Sequence, residues 1–138
     1  AGGIQRDALV ELTDIAPTLL DLAGMPVPER MQGRSLRTLL TNESAPDMHR
    51  SFVRCEYLDA LDMPDASRAT MYRDERWKLV VYHGHDIGQL YDLQADPHEH
   101  HDRWDDPAFA EIKTTLMQRS FDATVAALDL GPARVMPN

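Results

Sequence analysis

The spacing of apolar residues changes along the chain and divides it into regions of different predicted structure. Ile15, Leu19 and Leu22 recur at the i, i+4 and i+7 positions of a helix. From residue 51 to residue 93, β-branched and aromatic residues dominate, and within 76–82 they alternate with other side chains. Helical spacing returns after Pro107. The order predicts an α+β fold, in which a long C-terminal helix packs on one face of a small antiparallel sheet of three to four strands.

The first region is expected to contain a short strand at residues 8–12, followed by a helix. Thr13 and Asp14 are predicted to cap this helix, because their side-chain oxygens can accept from free amides of the first turn. Gly24 and the prolines that follow it are predicted to end the helix. A turn at 32–33, a short helical turn at 36–40 and a linker at 42–47 complete the region.

The strand region is expected to begin at residue 51 and to contain a hairpin. The segments 69–73 and 76–82 are joined only by Asp74-Glu75, which favours antiparallel pairing. Residues 83–88 read as a second turn, and 89–93 as a further strand.

The last helix is predicted to open at Asp106-Pro107, with the aspartate as cap and the proline in the first turn. Its apolar stripe is predicted to contain Phe109, Ile112, Leu116, Val125 and Leu128. Gly131-Pro132 is predicted to end it.

Composition and charge exclude several functions. The net charge is −9, from 23 acids against 14 lysines and arginines, which disfavours nucleic acid and anionic membranes as partners. No apolar run approaches the roughly 20 residues of a membrane span. A soluble protein is therefore expected, with its compartment left open. The first residues lack the features of a signal peptide, so we expect a mature chain or a part of a longer one.

The stretch GQLYDLQADPHEHHDRWDDP, residues 88–107, is chemically the densest in the chain. Imidazole and carboxylate groups can bind transition metals, and this stretch offers His98, Glu99, His100, His101 and Asp102. Neighbouring loop residues point apart, however, and no known metal-binding spacing is present. Its aspartates, Asp92, Asp96 and Asp102, are expected to cap turn amides. We therefore expect a structural joint here and no metal site.

Other candidate residues do not form a catalytic set either. Cys55 lies in a predicted strand and is expected to be buried and inert. Ser35 has no neighbouring base. His83 and His85 flank Gly84 at the end of a predicted strand, where the rims of active sites often lie. The sequence predicts no catalytic residue in this chain.

Two segments together resemble a known family, the type I sulfatases of the alkaline-phosphatase-like superfamily. The segment VELTDIAPTLLDLAGMPVPERMQGRSLRTLL resembles the passage that follows the catalytic core. Its matching residues are Val10, Asp14, Ile15, Pro17, Thr18, Leu19, Leu20, Gly24, Pro28, Gln32, Gly33, Ser35 and Leu36. The segments RDERWKLVVY and QLYDLQADPHE are similar to the C-terminal subdomain of that family. Here the matches are Trp77, Lys78, Leu79, Leu90, Tyr91, Asp92, Leu93, Asp96, Pro97 and Glu99. The family continues with Asn-Leu, whereas this chain has Asp102-Arg103.

The resemblance implies a division of the chain. Residues 1–45 would be the C-terminal end of the large alkaline-phosphatase-like domain, and residues 46–138 the sulfatase C-terminal subdomain. The dense stretch would then join the last strand to the C-terminal helix without a catalytic role. The stripe of Ile15, Leu19 and Leu22 would be buried against the sheet of this chain or in a homodimer.

The resemblance also implies chemistry that this chain lacks. Sulfatases hydrolyse sulfate esters with a formylglycine made in a Cys/Ser-x-Pro-x-Arg motif and with a bound calcium. Cys55 is followed by Glu-Tyr-Leu, and Ser44 has Pro46 but Met48 where arginine is required. The nucleophile and metal ligands would belong to an N-terminal catalytic domain, the expected partner. This chain alone is expected to be inactive and to help shape the substrate rim, with His83 and His85 as rim residues.

Alternative interpretations stay open. Phosphodiesterases and phosphonate hydrolases share these C-terminal patterns, so the parent reaction could be phosphoryl transfer. A stand-alone, histidine-containing binding module is an alternative from another class.

Overall fold

The computed structural model describes residue 3 and residues 5–42, 44–59 and 68–128. A 3-10 turn, Leu12–Asp14, leads into helix α1, and a loop connects α1 to the short helix α2. Four strands and a second 3-10 turn, Pro107–Phe109, then precede the long helix α3. The helices are α1 (Ile15–Leu22), α2 (Arg37–Thr41) and α3 (Ala110–Ala126), and the strands are β1 (Val53–Leu58), β2 (Arg68–Arg73), β3 (Trp77–Tyr82) and β4 (Gly88–Asp92). The predicted α+β fold is confirmed.

The strands form a four-stranded antiparallel meander in the order β1-β2-β3-β4. The predicted hairpin is present, with Tyr72 opposite Leu79 in the β2–β3 register. Asp74 closes its turn, because its Oδ1 accepts from the backbone N–H groups of Arg76 at 2.9 Å and Trp77 at 2.7 Å. A short acidic side chain therefore fixes the register of the hairpin.

The core lies between one face of the sheet and α3. Its buried residues are Tyr72, Leu79, Leu90, Leu116 and Ala123, and the partly buried residues packed around them are Phe52, Trp77, Val81, Trp104, Phe109 and Ile112. Gly88 permits this packing, since a Cβ at that position would lie 2.3 Å from the ring of Trp104. The ring can thus lie directly on the β4 backbone.

Several local predictions were wrong in the first region. Residues 8–12 do not form a strand. The backbone N–H groups of Asp7 and Ala8 donate instead to the carboxylate of Asp47, at 2.8 and 3.0 Å. Asp14 directly precedes α1, but its side chain does not cap that helix. It accepts from the backbone N–H of Glu11 at 2.9 Å and from more distant groups.

The burial of the apolar stripes also differs from the prediction. On α1, Ile15, Leu19 and Leu22 are 51%, 62% and 50% exposed, so this chain does not bury them against its own sheet. Val125 is likewise exposed, because the 3.6-residue period turns it away from the side on which Leu116 and Ala123 lie. Leu128, which follows the end of the helix, is exposed too. The helix ends at Ala126, and the predicted stop at 131–132 lies outside the described residues.

No helix in the described part of the chain is long and apolar enough to cross a membrane.

Candidate functional site

Helix α1 has an inner face that is locked to the rest of the chain by an interlocking loop, residues 31–36. The backbone N–H of Arg34 donates to Asp14 Oδ1 at 2.7 Å, and that of Leu36 donates to Thr18 Oγ1 at 2.8 Å. Gly33 lies against the start of the helix, where a Cβ would come within 1.9 Å of the Thr13 carbonyl oxygen. The spaced Asp, Thr and Gly of the first motif are therefore the contacts that hold this loop on α1.

The same loop is tied to the C-terminal half of α1 through Asp21. The Ser35 hydroxyl donates to Asp21 Oδ2 at 2.5 Å, and Arg37 Nη1 lies 3.0 Å from Oδ1. The hydrogen bond from Ser35, with that from Arg37, holds the pKa of Asp21 below its ordinary value. The serine of the motif thus donates to a carboxylate and positions it.

Behind the loop, a buried ionic cluster connects α1 to the start of β1. Asp14 is fully buried and is paired with Arg50, whose Nη1 also lies 2.6 Å from Glu11 Oε2. Glu11 Oε1 accepts from the backbone N–H of Arg54 at 2.8 Å. His49 Nε2 lies 3.4 Å from Asp14 Oδ2. These contacts link the start of α1 to the start of β1, and loss of one partner of such a buried pair is strongly destabilising.

The outer face of α1 is apolar and exposed. We call the exposed row of Ile15, Leu19 and Leu22 the α1 face; Val10, Leu12 and Met25, which flank the helix in sequence, are also exposed. Contiguous exposed apolar residues on a soluble protein mark an interaction site. Polar contacts hold the inner face of α1 against the rest of the chain, and the α1 face is left exposed.

The dense stretch is a joint between β4 and α3, as predicted. Asp102 Oδ1 accepts from the backbone N–H groups of Leu90 and Trp104, both at 2.9 Å. Asp96 Oδ2 accepts from the N–H of His101 at 2.7 Å, and Asp106 Oδ1 accepts from that of Ala108 at 3.0 Å. These aspartates hold the connection between β4 and α3 in its folded conformation. The side chains of His98, His100 and His101 are exposed.

Glu99 has an unfavourable backbone conformation within this joint. Its φ is 57°, in the left-handed region, while its Oε2 lies 2.6 Å from Lys78 Nζ. Each side chain of this pair is a quarter to a third exposed, so the pair stabilises the fold by at most about 1 kcal/mol. The ion pair between the motif residues Lys78 and Glu99 therefore offsets a mild backbone strain at Glu99.

We expect Glu99→Gly to be more stable than Glu99→Ala by about 1 kcal/mol. Both substitutions remove the ion pair, but only glycine relieves the left-handed φ. Urea unfolding of the two variants measures the difference. Equal stability, or a more stable alanine variant, would contradict the proposed strain.

Asp92 makes the stability of the fold depend on pH. Hydrogen bonds from Arg76, at 2.8 Å between Nη2 and Oδ2, hold the pKa of Asp92 below its usual value of 3.8, against the opposing effect of burial. A lowered pKa in the folded state stabilises the fold above the usual pKa, and this contribution is lost as the pH falls below it.

We therefore expect the free energy of unfolding to fall as the pH decreases below about 4, and to fall less steeply in Arg76→Gln. Urea midpoints at pH 5 and pH 3 measure both slopes. The same slope in the wild-type chain and in Arg76→Gln would show that Arg76 does not carry the effect.

The remaining predicted candidates lie in the strands and in the turn between β3 and β4. His83 and His85 are exposed on the turn between β3 and β4, and His83 Nε2 lies 2.9 Å from Thr70 Oγ1. Gly84, between them, has a φ of 86°. Cys55 lies in β1 as predicted but is exposed, so its predicted burial was wrong. Across the described ranges, no group of three or more His, Cys, Asp or Glu side chains could hold a metal ion.

A helix anchored beside a four-stranded meander, with α3 on one face of the sheet, corresponds to the C-terminal region of a sulfatase-type hydrolase. The profile of the family described as N-sulphoglucosamine sulphohydrolase, C-terminal, matches residues 1–125, and the chain belongs to this family. Arylsulfatase K of Mus musculus is 39% identical over 100 residues, which cover 70% of this chain and 18% of that protein. The chain thus spans under a quarter of the length of this relative.

Solved structures support the same class. A structure in complex with its substrate, D-glucosamine-2-N,6-O-disulfate, is 30% identical and has a TM-score of 0.71, covering 86% of this chain and 24% of that one. The phosphonate monoester hydrolase of Silicibacter pomeroyi is 27% identical with a TM-score of 0.71, covering 85% and 25%. The fold is therefore shared by enzymes that act on sulfate and on phosphonate esters.

Proposed function

We propose that this chain is the C-terminal part of a sulfatase, and that it completes the core of a larger enzyme that hydrolyses sulfate esters. The observation that carries the proposal is the α1 face, an apolar surface that is anchored from behind and left exposed. An N-terminal catalytic domain is the partner that would cover it. The relative noted above, arylsulfatase K, is several times longer than this chain, which supports such an arrangement.

Within this chain, the boundary between the end of the large alkaline-phosphatase-like domain and the C-terminal subdomain would lie near residues 45–46. The ionic cluster of Asp14 and Arg50 would then cross this boundary and fix the small subdomain to the end of the large domain. In this arrangement the chain would bury apolar surface of the larger enzyme and orient the C-terminal subdomain. We assign it no reacting group.

The calcium and the formylglycine that sulfatases use would belong to the N-terminal part. The described residues do not fit the calcium, and the sequence does not fit the formylglycine. The described residues contain no cluster that could hold a metal, and neither Cys55 nor Ser44 stands in a Cys/Ser-x-Pro-x-Arg motif. We therefore assign this chain no step of the hydrolysis and expect it to be inactive alone.

His83 and His85 are proposed to lie at the rim of the substrate site of the complete enzyme. Both are exposed on a strand-connecting turn, and the hydrogen bond between His83 and Thr70 holds the imidazole of His83 at one end of the sheet. Imidazole can donate a hydrogen bond to an anionic ester at such a position.

A second candidate reaction is the hydrolysis of phosphonate or phosphate esters. The similarity to the phosphonate monoester hydrolase is as good in TM-score as that to the substrate-bound structure. The residues that distinguish the two reactions would lie outside this chain, so its fold does not choose between them.

The experiment is to translate the coding sequence upstream of Ala1 and to assay the complete product on 4-nitrophenyl sulfate and on a 4-nitrophenyl phosphonate monoester. A Cys/Ser-x-Pro-x-Arg motif with faster sulfate hydrolysis is the expected result. Faster phosphonate hydrolysis would support the second candidate. An upstream stop codon directly before a start site would overturn the proposal and favour the binding module.

A further inference from the structure

His49 is the member of the buried ionic cluster whose side chain can change its charge near neutral pH. Its side chain is 10% exposed, and its Nε2 lies 3.4 Å from Oδ2 of the fully buried Asp14. Among the described residues this nitrogen has no hydrogen-bond partner, because its contact with Asp14 has the distance of an ion pair without the geometry of a hydrogen bond. A neutral ring gains little from such a contact, whereas a protonated ring gains the attraction of the carboxylate.

The charges around His49 favour its protonated form. Two carboxylates, those of Asp14 and Glu11, share one guanidinium, that of Arg50. Asp47, on the same segment as His49, is a further acid. A positive charge on His49 would therefore balance the excess negative charge of the cluster. Asp14 is buried whether or not His49 is charged, so protonation adds attraction without a further cost of burying that carboxylate.

We propose that His49 is a pH-dependent link between the start of α1 and the segment that leads into β1. When protonated, its imidazolium pairs with Asp14, and when deprotonated it loses this pairing. A group whose protonated form is stabilised by folding contributes stability at low pH and loses it as the pH rises. Histidine ordinarily titrates near pH 6.5, so the contribution is present at about pH 5.5 and is lost toward pH 8. Its sign is opposite to that of Asp92, whose contribution is lost as the pH falls.

The test is urea unfolding of this chain at pH 5.5 and pH 8.0, in the wild type, in His49→Gln and in His85→Gln. Glutamine keeps a polar side chain but does not titrate. His85 is exposed on the turn between β3 and β4 and forms no ion pair in the described part of the chain, so its substitution controls for the loss of a histidine. Both pH values lie above the range in which Asp92 titrates.

Between pH 5.5 and pH 8.0, we expect the unfolding equilibrium constant to rise at least about threefold more in the wild type than in His49→Gln. His85→Gln is expected to behave like the wild type. An equal change in the wild type and in His49→Gln, or a larger one in His49→Gln, overturns the inference. If His85→Gln reduces the pH dependence as much as His49→Gln does, the effect does not come from the buried cluster and the inference is also overturned.

A second readout uses the wild-type chain alone. The backbone amides of Glu11 and Arg34 both donate to Asp14, so their NMR signals report on this carboxylate. We expect both signals to shift between pH 5.5 and pH 8.0, whereas the amide of Trp77, which donates to Asp74, should not. Unchanged signals of Glu11 and Arg34 over this range overturn the inference even if His49→Gln fails to fold.

Discussion

Replacing Asp14 with alanine is expected to lower the free energy of unfolding by about 3–5 kcal/mol, because a buried ion pair loses one partner and buried backbone donors lose their acceptor. Asp14 is fully buried and accepts from Arg50 and from the backbone N–H groups of Glu11 and Arg34. Its removal leaves Arg50 with Glu11 as its carboxylate partner and leaves the two backbone donors without their acceptor.

Asp14→Asn removes the charge of the side chain but keeps its volume. We expect it to be nearly as destabilising as Asp14→Ala. The matched control is Asp21→Ala on the same helix, whose carboxylate is a third exposed and bonds to Ser35 and Arg37. Urea unfolding should show a much smaller effect for this control, since water can replace its partners. Equal losses for Asp14→Ala and Asp21→Ala would contradict the anchoring role of the buried cluster.

Gly33→Ala is expected to cost about 1–3 kcal/mol, by forcing the interlocking loop away from α1. The added Cβ would lie 1.9 Å from the carbonyl oxygen of Thr13 and 2.4 Å from its carbonyl carbon. Backbone atoms cannot rotate away as a flexible side chain can, so the loop must move. The hydrogen bonds from Arg34 to Asp14 and from Leu36 to Thr18 would then lengthen or break.

The neighbouring substitution Arg34→Ala is the control, because the loop uses the backbone N–H of Arg34 to reach Asp14. We expect it to change stability by less than about 0.5 kcal/mol. Hydrogen exchange at the amides of Arg34 and Leu36 reports on the loop directly. If Gly33→Ala left both amides as protected as in the wild type, the close contact with Thr13 would not be what holds the loop.

The sheet and the long helix could be predicted from local patterns. Three of these patterns each involve only a few residues, and the structure contains all of them. They are the alternation around Leu79, the short connection at Asp74 and the helix start at Asp106-Pro107. The false strand at 8–12 shows the limit of such patterns. Its apolar residues resemble a strand, but the backbone N–H of Ala8 donates to the carboxylate of Asp47 and that of Glu11 donates to Asp14.

The buried cluster and the exposure of Val125 and Leu128 could not be predicted in the same way. Arg50 contacts Asp14, which is 36 positions away in sequence. Local periodicity cannot predict a contact over that distance. Val125 and Leu128 fit an approximate helical stripe, yet whether such a residue faces the core depends on where Leu116 and Ala123 are buried. Only the three-dimensional packing distinguishes an inner from an outer apolar row.

The measurement that tests the central claim most directly is the effect of Leu19→Glu on stability, in this chain alone and in the complete reading-frame product. Leu19 is 62% exposed in this chain, so we predict almost no change in its urea midpoint. If the N-terminal part covers the α1 face, the same substitution should destabilise the complete product by at least about 2 kcal/mol, since a buried leucine is replaced by a charge. An equally small effect in both proteins would contradict the claim that this chain completes the core of a larger enzyme.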